Sequence, residues 1–313
     1  MRQKTITADE MKAVDKNASD IGMTPLQLME NAGHAVADAV LKLNLEFNPE
    51  LNPESSLVLF FAGHGNNGGD AFVAARHLAD KNIRSVVFLL GNSCRIKTEE
   101  SQINFRLLKQ TSLITVFEIQ SESELSETFN SFDSNGADGI DKTDGTNRTD
   151  GTNRTDGTNR TDGAGSSNVG FSVIVDGIFG TGFSGEPKGL EKAAIHLIRS
   201  EKQARPDLKV LSIDIPSGMP VTGAAPIDGA AVIADSTVTF HKMKTFLETE
   251  TAAEFAGEVF VYPIGIPENA EKYVGTGELS LLYKRKSDSK KGDSGRVLVI
   301  AGGPYSGAPG LAG

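Results

Sequence analysis

The chain has 313 residues, and 31 Lys and Arg against 41 Asp and Glu give a net charge of −10. This balance argues against a nucleic-acid-binding surface, which needs clustered cations, and no apolar run approaches the roughly 18 residues of a membrane span. No hydrophobic signal segment follows the first residues, and the single cysteine, Cys94, excludes an internal disulfide. We therefore expect a cytoplasmic protein that binds neither nucleic acid nor a membrane.

The first 45 residues predict two helices. Thr7 and Glu10 have the spacing of a capping box, and Thr24 followed by Pro25 is typical of a second helix start. The second helix carries one apolar stripe: Leu28, Ala32, Ala35, Val36, Ala39, Val40 and Leu43. The pattern is compatible with packing of these helices on a sheet and equally with a homodimer contact.

The middle of the chain alternates strand and helix patterns. Strands are predicted at 56–62, 85–90, 114–119, 171–175, 210–213 and 237–240, and helices at 71–81, 99–109 and 190–199. The continuous apolar run at 56–62 is typical of a strand with both faces covered. The alternation predicts an α/β fold: a Rossmann-like, doubly wound, mostly parallel sheet with helices on both faces, preceded by the two N-terminal helices.

Two segments depart from this pattern. Residues 121–170 predict a disordered surface insertion, because three tandem TDGTNR hexapeptides at 143–160 carry no apolar residue to pack. Residues 284–294 predict a charged linker, and 295–313 read as a strand opening onto a glycine-rich loop, the truncated start of another domain. The first domain would then span residues 1–283.

A glycine-rich segment follows the first buried strand. Gly63, Gly65 and Gly68 match G-x-G-x-x-G at the carboxyl end of a predicted parallel strand, where open α/β sheets bind ligands. A dehydrogenase would also need an acidic residue after the next strand to hold the ribose, and none is present. A plain turn that packs helix on strand is the structural alternative, although it does not explain Asn66, Asn67 and Asp70.

Two later strands also end in carboxylates. Asp176 precedes a glycine-rich segment that extends to Glu186, and Asp214 precedes Pro216-Ser217-Gly218. Because the carboxyl ends of parallel strands meet at one sheet edge, we expect these groups to converge with Asn67. Amide, carboxylate and hydroxyl oxygens suit a hard cation or a ribose-phosphate better than zinc.

Six segments of the sequence together resemble a known family. The segments that carry the resemblance are Met29–Gly33, Gly65–Asp70, Asp176–Gly182, Asp214–Gly218, Ala234–Phe240 and Ile264–Pro267, in the order found in NAD(P)H-hydrate epimerases. The end of the chain, from Lys291, resembles the opening of the ADP-dependent NAD(P)H-hydrate dehydratase domain, whose later nucleotide and catalytic segments the sequence lacks. Dehydratase activity is therefore not expected of this chain.

The resemblance implies interconversion of the R and S forms of hydrated NAD(P)H, NADHX and NADPHX, at C6 of the damaged nicotinamide. It implies potassium held by Asn67, Asp176 and Ser217, and Asp214 as the catalytic acid and base. The substrate-contacting residues that it implies are Asn66, Asn67, Gly68, Gly69, Asp70, Gly180, Thr181, Gly182, Phe183, Ser184, Gly185, Glu186 and Asp214. A dehydratase domain, fused or separate, would be the partner.

Two other readings stay open on the sequence. One is a catalytically silent binding module, because relatives include an apolipoprotein-binding protein; the other is an NAD-dependent dehydrogenase. Two positions depart from the family pattern. Val261-Tyr262-Pro263 stands where an acidic residue usually precedes Ile264, and His64 lies in the glycine-rich segment.

Overall fold

The computed structural model describes residues 5–47, 57–135, 171–221 and 230–282. Its helices are α1 Ala8–Asp20, α2 Pro25–Phe47, α3 Asn66–Ala79, α4 Glu99–Leu108, α5 Glu122–Asn135, α6 Gly189–Ala204, α7 Glu250–Ala256, α8 Asn269–Lys272 and α9 Thr276–Leu281. Its strands are β1 Thr5–Ile6, β2 Leu57–Ala62, β3 Arg84–Leu90, β4 Ile114–Ile119, β5 Val173–Gly177, β6 Lys209–Ile213, β7 Ser236–Phe240, β8 Met243–Lys244 and β9 Glu258–Tyr262. Throughout these ranges, no helix is both long and apolar enough to cross a bilayer.

Seven strands form one sheet in the order β4-β3-β2-β5-β6-β7-β9, and every neighbouring pair is parallel. The chain starts this sheet at β2, moves outward through β3 and β4, and returns to β5 on the other side of β2. The switch point of the topology therefore lies between β2 and β5, where such sheets open a crevice for ligands. The predicted α/β fold is confirmed.

Helices cover both faces of the sheet, and the residues of β2 are all apolar because both of its faces are buried. Val58 and Phe60 pack in the core beneath α2, α3 and α4, whereas Leu59 and Phe61 pack in the core beneath α5 and α6. Alternate residues of a strand point to opposite faces, so a strand covered on both sides needs a continuous apolar run. The two N-terminal helices begin as predicted, and Thr7 and Glu10 form a complete capping box.

Several elements differ from the prediction. Helix α5 occupies residues where we expected disorder, and Leu125 and Phe129, one turn apart, are buried against the second core. Helix α3 begins at Asn66, five residues earlier than predicted, and the edge strand β9 was not predicted. The TDGTNR repeats, the linker at 284–294 and the domain start at 295–313 lie outside the described residues.

Candidate functional site

The carboxyl ends of β2, β5 and β6 place the predicted polar residues at one edge of the sheet. Asp176 is the second-to-last residue of β5, Asp214 directly follows β6, and Asn67 lies in the first turn of α3 after β2. Since β2, β5 and β6 are adjacent and parallel, their ends meet. The structure thus brings together Asn67, Asp176, Asp214 and Ser217, as the sequence predicts, while their chemical roles stay predictions.

Asp176 and Ser217 form the buried centre of this edge. The Asp176 carboxylate is fully buried and accepts from the Ser217 hydroxyl at 2.5 Å, the Ser217 amide at 2.8 Å and the Ser212 hydroxyl at 2.8 Å. Burial raises the pKa of Asp176, and these hydrogen bonds offset part of that effect. The Pro-Ser turn after β6 is thereby fixed to the end of β5.

Asn67 reaches the same centre through the carbonyl of Phe179. Its Nδ2 donates to Phe179 O at 3.0 Å, and the Ser217 hydroxyl lies 3.2 Å from that oxygen. Gly180 separates Asn67 from Asp214: a Cβ there would lie 3.1 Å from Asn67 Oδ1 and 3.0 Å from Asp214 Oδ2. Glycine therefore lets the loop pass between the two side chains.

The glycine-rich segment is a helix start as well as a loop. Gly65 is the N-cap of α3, so Asn66 to Asp70 form its first turn at the sheet edge. A Cβ on Gly68 would lie 2.0 Å from the Gly63 carbonyl oxygen, so only glycine allows this approach. His64 is buried beside the turn with Nε2 3.1 Å from Asn92 O, and burial, followed by the charge of Arg95, lowers its pKa. Packing thus accounts for part of this segment.

Asp214 is held in an unusual backbone conformation. Its φ is +64°, a left-handed value that Asp tolerates better than most residues, and its amide donates to Val238 O at 2.7 Å. Oδ2 accepts from the Thr181 amide at 2.9 Å, and Oδ1 lies 3.4 Å from the Thr239 hydroxyl. The side chain is 13% exposed, so the carboxylate is ordered but reachable from the crevice.

Sequence reasoning missed Lys244, which lies on β8 with its side chain only 2% exposed. Its Nζ is 3.3 Å from Asp214 Oδ1 and donates to Thr239 Oγ1 at 3.0 Å and Phe240 O at 2.9 Å. A lysine in the charged segment after β7 is normally expected on the surface. The strand pairing of Ile6 with Lys244, which buries it, cannot be read from local sequence.

Two further carboxyl groups face this pair. Burial raises the pKa of Asp15 on α1 to about 6; the Lys244 cation offsets part of this effect, and the charge of Asp214 adds to it. Burial, followed by the charges of Asp214, Asp15 and Glu100, raises the pKa of Asp70 well above its usual range. Asp15 and Asp70 therefore lie close enough to Asp214 to interact with its charge, and Asp15, like Lys244, was not predicted.

The loop after β5 is ordered at its start and open further on. Phe179 and Phe183 stack with ring centroids 3.8 Å apart, and the Thr181 amide holds Asp214. The remaining loop residues predicted to contact substrate are exposed: Gly182, Ser184, Gly185 and Glu186. The described contacts place only the first part of this loop against the Asp176 centre.

Two motifs of the resemblance lie outside this centre. Glu30 binds Arg76 at 2.5 Å and His77 at 2.8 Å, which joins α2 to α3. Asn31 Nδ2 donates to Ile264 O at 2.8 Å, and both residues line a cleft of about 270 Å³ together with Tyr262. Tyr262, at the position that departs from the family pattern, therefore lies at the β9 edge of the sheet and lines this cleft rather than the Asp176 centre.

The oxygen atoms around Asp176 are of the kinds that could hold a hard cation. Asn67, Asp176, Ser217 and the Phe179 carbonyl supply amide, carboxylate, hydroxyl and backbone oxygens within one cluster. In the part of the chain that the structure describes, no group of three or more His, Cys, Asp and Glu could hold a metal ion. A cation here would thus depend on neutral oxygens and one carboxylate, which suits potassium better than a transition metal.

Comparisons with known proteins identify the family and the fold of the chain. The family described as YjeF-related protein N-terminus matches residues 25–246. The NAD(P)H-hydrate epimerase of Nitrosopumilus maritimus is 34% identical over 85% of this chain and 98% of its own length. The bifunctional NAD(P)H-hydrate repair enzyme Nnr of Methanothermobacter thermautotrophicus is 36% identical over 97% of this chain, but the chain spans only 48% of that relative. A crystal structure of the yeast protein ynu0 shares the fold, with a TM-score of 0.58 and 22% identity over 83% of this chain and 88% of that one.

Proposed function

Because the chain belongs to the family of YjeF-related protein N-termini, we propose that it epimerises the R and S forms of NADHX and NADPHX at C6 of the hydrated nicotinamide. The observation that carries the proposal is the convergence of Asp214 with the Asp176–Ser217 centre at the switch point of a parallel sheet. Relatives named as epimerases and as bifunctional repair enzymes support the same reaction.

Three features of the site suit a nicotinamide nucleotide. The N-terminus of α3, with Asn66 to Asp70 in its first turn, is favourable for the pyrophosphate, because free backbone N–H groups and the helix dipole favour anions. The stacked rings of Phe179 and Phe183 lie in the loop that follows Asp176 and, being half-buried, offer apolar area to a flat ring. Potassium on Asn67, Asp176 and Ser217 would supply a fixed positive charge that orients the substrate's oxygen atoms.

Asp214 is the group that we assign to proton transfer. Inversion at C6 requires that a C–O or C–N bond of the hemiaminal break and re-form, through an iminium ion and water or through a ring-opened aldehyde. Either route needs one group that takes up a proton and returns it, so that the protein ends each cycle unchanged. Asp214 meets this requirement, and its negative charge also stabilises a developing cation nearby.

The test is the equilibration of purified R-NADHX, followed by chromatographic separation of the two epimers. We expect the wild-type chain to produce the R and S mixture, and the Asp214→Asn variant to lose at least about 100-fold in rate, as general acid–base catalysis contributes roughly 10²–10⁴-fold. Asn suits the positive φ of Asp214, which keeps the backbone unstrained. Asp235→Asn, which removes a carboxylate paired with Lys202 at 2.7 Å before β7, is the matched control.

Other outcomes would identify the alternatives. An absence of equilibration with nucleotide binding intact would favour the silent binding module, and substrate oxidation with NAD consumption would favour a dehydrogenase. We also propose a dehydratase as partner, because the bifunctional relatives join repair activities in one chain. We propose a cytoplasmic location as well, which the single free cysteine, Cys94, favours. The apolar stripe of α2 packs in the core of its own chain, so a homodimer, which stays a proposal that sedimentation analysis would test, would use another surface.

A further inference from the structure

Lys244 is buried in an environment that does not solvate a cation well. Its side chain is 2% exposed, and Nζ is surrounded by the Thr239 hydroxyl, the Phe240 carbonyl and the carboxylate of Asp214. Taking an ammonium group out of water costs several kcal/mol, so a buried lysine needs a counter-charge. In the described part of the chain, the carboxylate within ion-pair distance of Lys244 is Asp214, at 3.3 Å.

The backbone of both partners is fixed from several sides. Lys244 is paired with Ile6 in the short parallel sheet of β1 and β8, and β1 leads directly into α1. Asp214 is anchored by its own amide to Val238 O and by its Oδ2 to the Thr181 amide. Lys244 and Thr239 approach Oδ1, so the two oxygens of the carboxylate are held by different elements.

Other carboxyl groups lie close enough to Asp214 to interact with its charge. Asp15 on α1 and Asp70 on α3 both interact electrostatically with Asp214, and like charges disfavour ionisation. Glu100 on α4 acts in turn on Asp70. Among these groups only Lys244 contributes a positive charge, and the Lys244 cation also lowers the pKa of Asp15 against the effect of burial.

We infer that Lys244 is a positioning residue for the epimerisation proposed above: it supplies the counter-charge of the Asp214 carboxylate and holds Oδ1, the oxygen that does not accept from the Thr181 amide. The inference rests on the proposed function for its kinetic consequence, whereas the ion pair itself stands on the geometry. A purely structural lysine would stabilise the β1–β8 pairing and the carbonyl of Phe240 without affecting the ionisation of Asp214.

The test compares Lys244→Met, which keeps the length and removes the charge, with Lys244→Arg, which keeps the charge. The epimerisation rate is measured from about pH 5 to about pH 9, with kcat and KM separated. Removing an opposite charge at this distance should move the acid limb of the rate profile up by about 1–3 pH units in Lys244→Met. The loss in kcat should be largest at the acid end of this range, at most about tenfold for each pH unit that the limb moves, and should shrink at high pH.

Two controls distinguish charge from structure. Lys244→Arg should keep the acid limb, and Lys202→Met, which removes the 2.7 Å ion pair with Asp235 before β7, should leave the profile unchanged. A Lys244→Met loss of equal size at every pH, or an unmoved acid limb, would overturn the inference. If Lys244→Met fails to fold, Lys244→Gln, which also removes the charge but keeps a side-chain amide that can donate to Thr239 and Phe240, repeats the test, and an unmoved acid limb in that variant would overturn the inference.

A readout without turnover keeps the two proposals apart. Carbon-13 NMR of the aspartate carboxyl groups, with Asp214→Asn to identify the signal, reports the ionisation of Asp214 directly. A higher titration midpoint in Lys244→Met supports the inference even if the wild-type chain does not equilibrate R-NADHX, in which case the proposed function alone fails. An unchanged midpoint overturns the inference whether or not the chain is an epimerase.

Discussion

Ser217 and Ser212 offer a matched pair of substitutions at the buried carboxylate of Asp176. The Ser217 hydroxyl lies 2.5 Å from Oδ1 and the Ser212 hydroxyl 2.8 Å from Oδ2, and both serines are fully buried. A hydrogen bond to a charged group contributes about 1.5–3 kcal/mol to stability. We therefore expect Ser217→Ala and Ser212→Ala each to lower the free energy of unfolding by about that amount.

Potassium should distinguish the two variants, because we assign only Ser217 as a ligand. A cation that binds the folded chain at 100 times its dissociation constant stabilises it by about 2.7 kcal/mol. In urea unfolding at constant ionic strength, wild type and Ser212→Ala should gain stability when KCl replaces tetramethylammonium chloride. Ser217→Ala should gain at least about 1.4 kcal/mol less, which corresponds to a tenfold weaker site.

The result that refutes this reasoning is a potassium effect that survives in Ser217→Ala or disappears equally in Ser212→Ala. The first would show that the hydroxyl of Ser217 is not a potassium ligand. The second would show that potassium responds to the general integrity of the Asp176 cluster. Equal stability of wild type and Ser212→Ala in the absence of potassium would contradict the value given to the hydrogen bonds.

Two further substitutions test packing and charge. Gly68→Ala places a Cβ 2.0 Å from the Gly63 carbonyl oxygen and should lower the free energy of urea unfolding by at least about 2 kcal/mol. A Cβ on Gly65 would have no atom within 4 Å, so Gly65→Ala should lower it by less than about 1 kcal/mol. Similar losses in the two variants would refute the close approach at Gly68. The pKa of Asp15 rises from 3.8 to about 6 on folding, so its ionised form opposes folding increasingly as pH rises through this window. Asp15→Asn should therefore stabilise the chain by about 1–2 kcal/mol at about pH 8, after allowance for partial solvation, and by less at about pH 5. A gain that is the same at both pH values would contradict the raised pKa.

Local sequence patterns determined the layered fold and the edge of the sheet that carries the site. The run Leu57–Ala62 is apolar at every position because both of its faces are covered. Such a run identifies a buried strand even when the elements that pack on it are unknown. Asp176 and Asp214 follow strands, so the parallel topology alone brings them to one edge. Helix α5 escaped prediction because Leu125 and Phe129, which are buried, stand among mostly polar residues.

The partners of Asp214 were decided by the tertiary structure alone. Lys244 comes 30 residues later in the chain and Asp15 almost 200 residues earlier, and neither lies in a motif that marks it as part of a site. Periodicity reports which face of an element is buried, but the meeting of β1, β8 and the end of β6 depends on how whole elements pack. Burial then gives the Lys244–Asp214 contact its strength, because the removal of water makes each charge depend on the other.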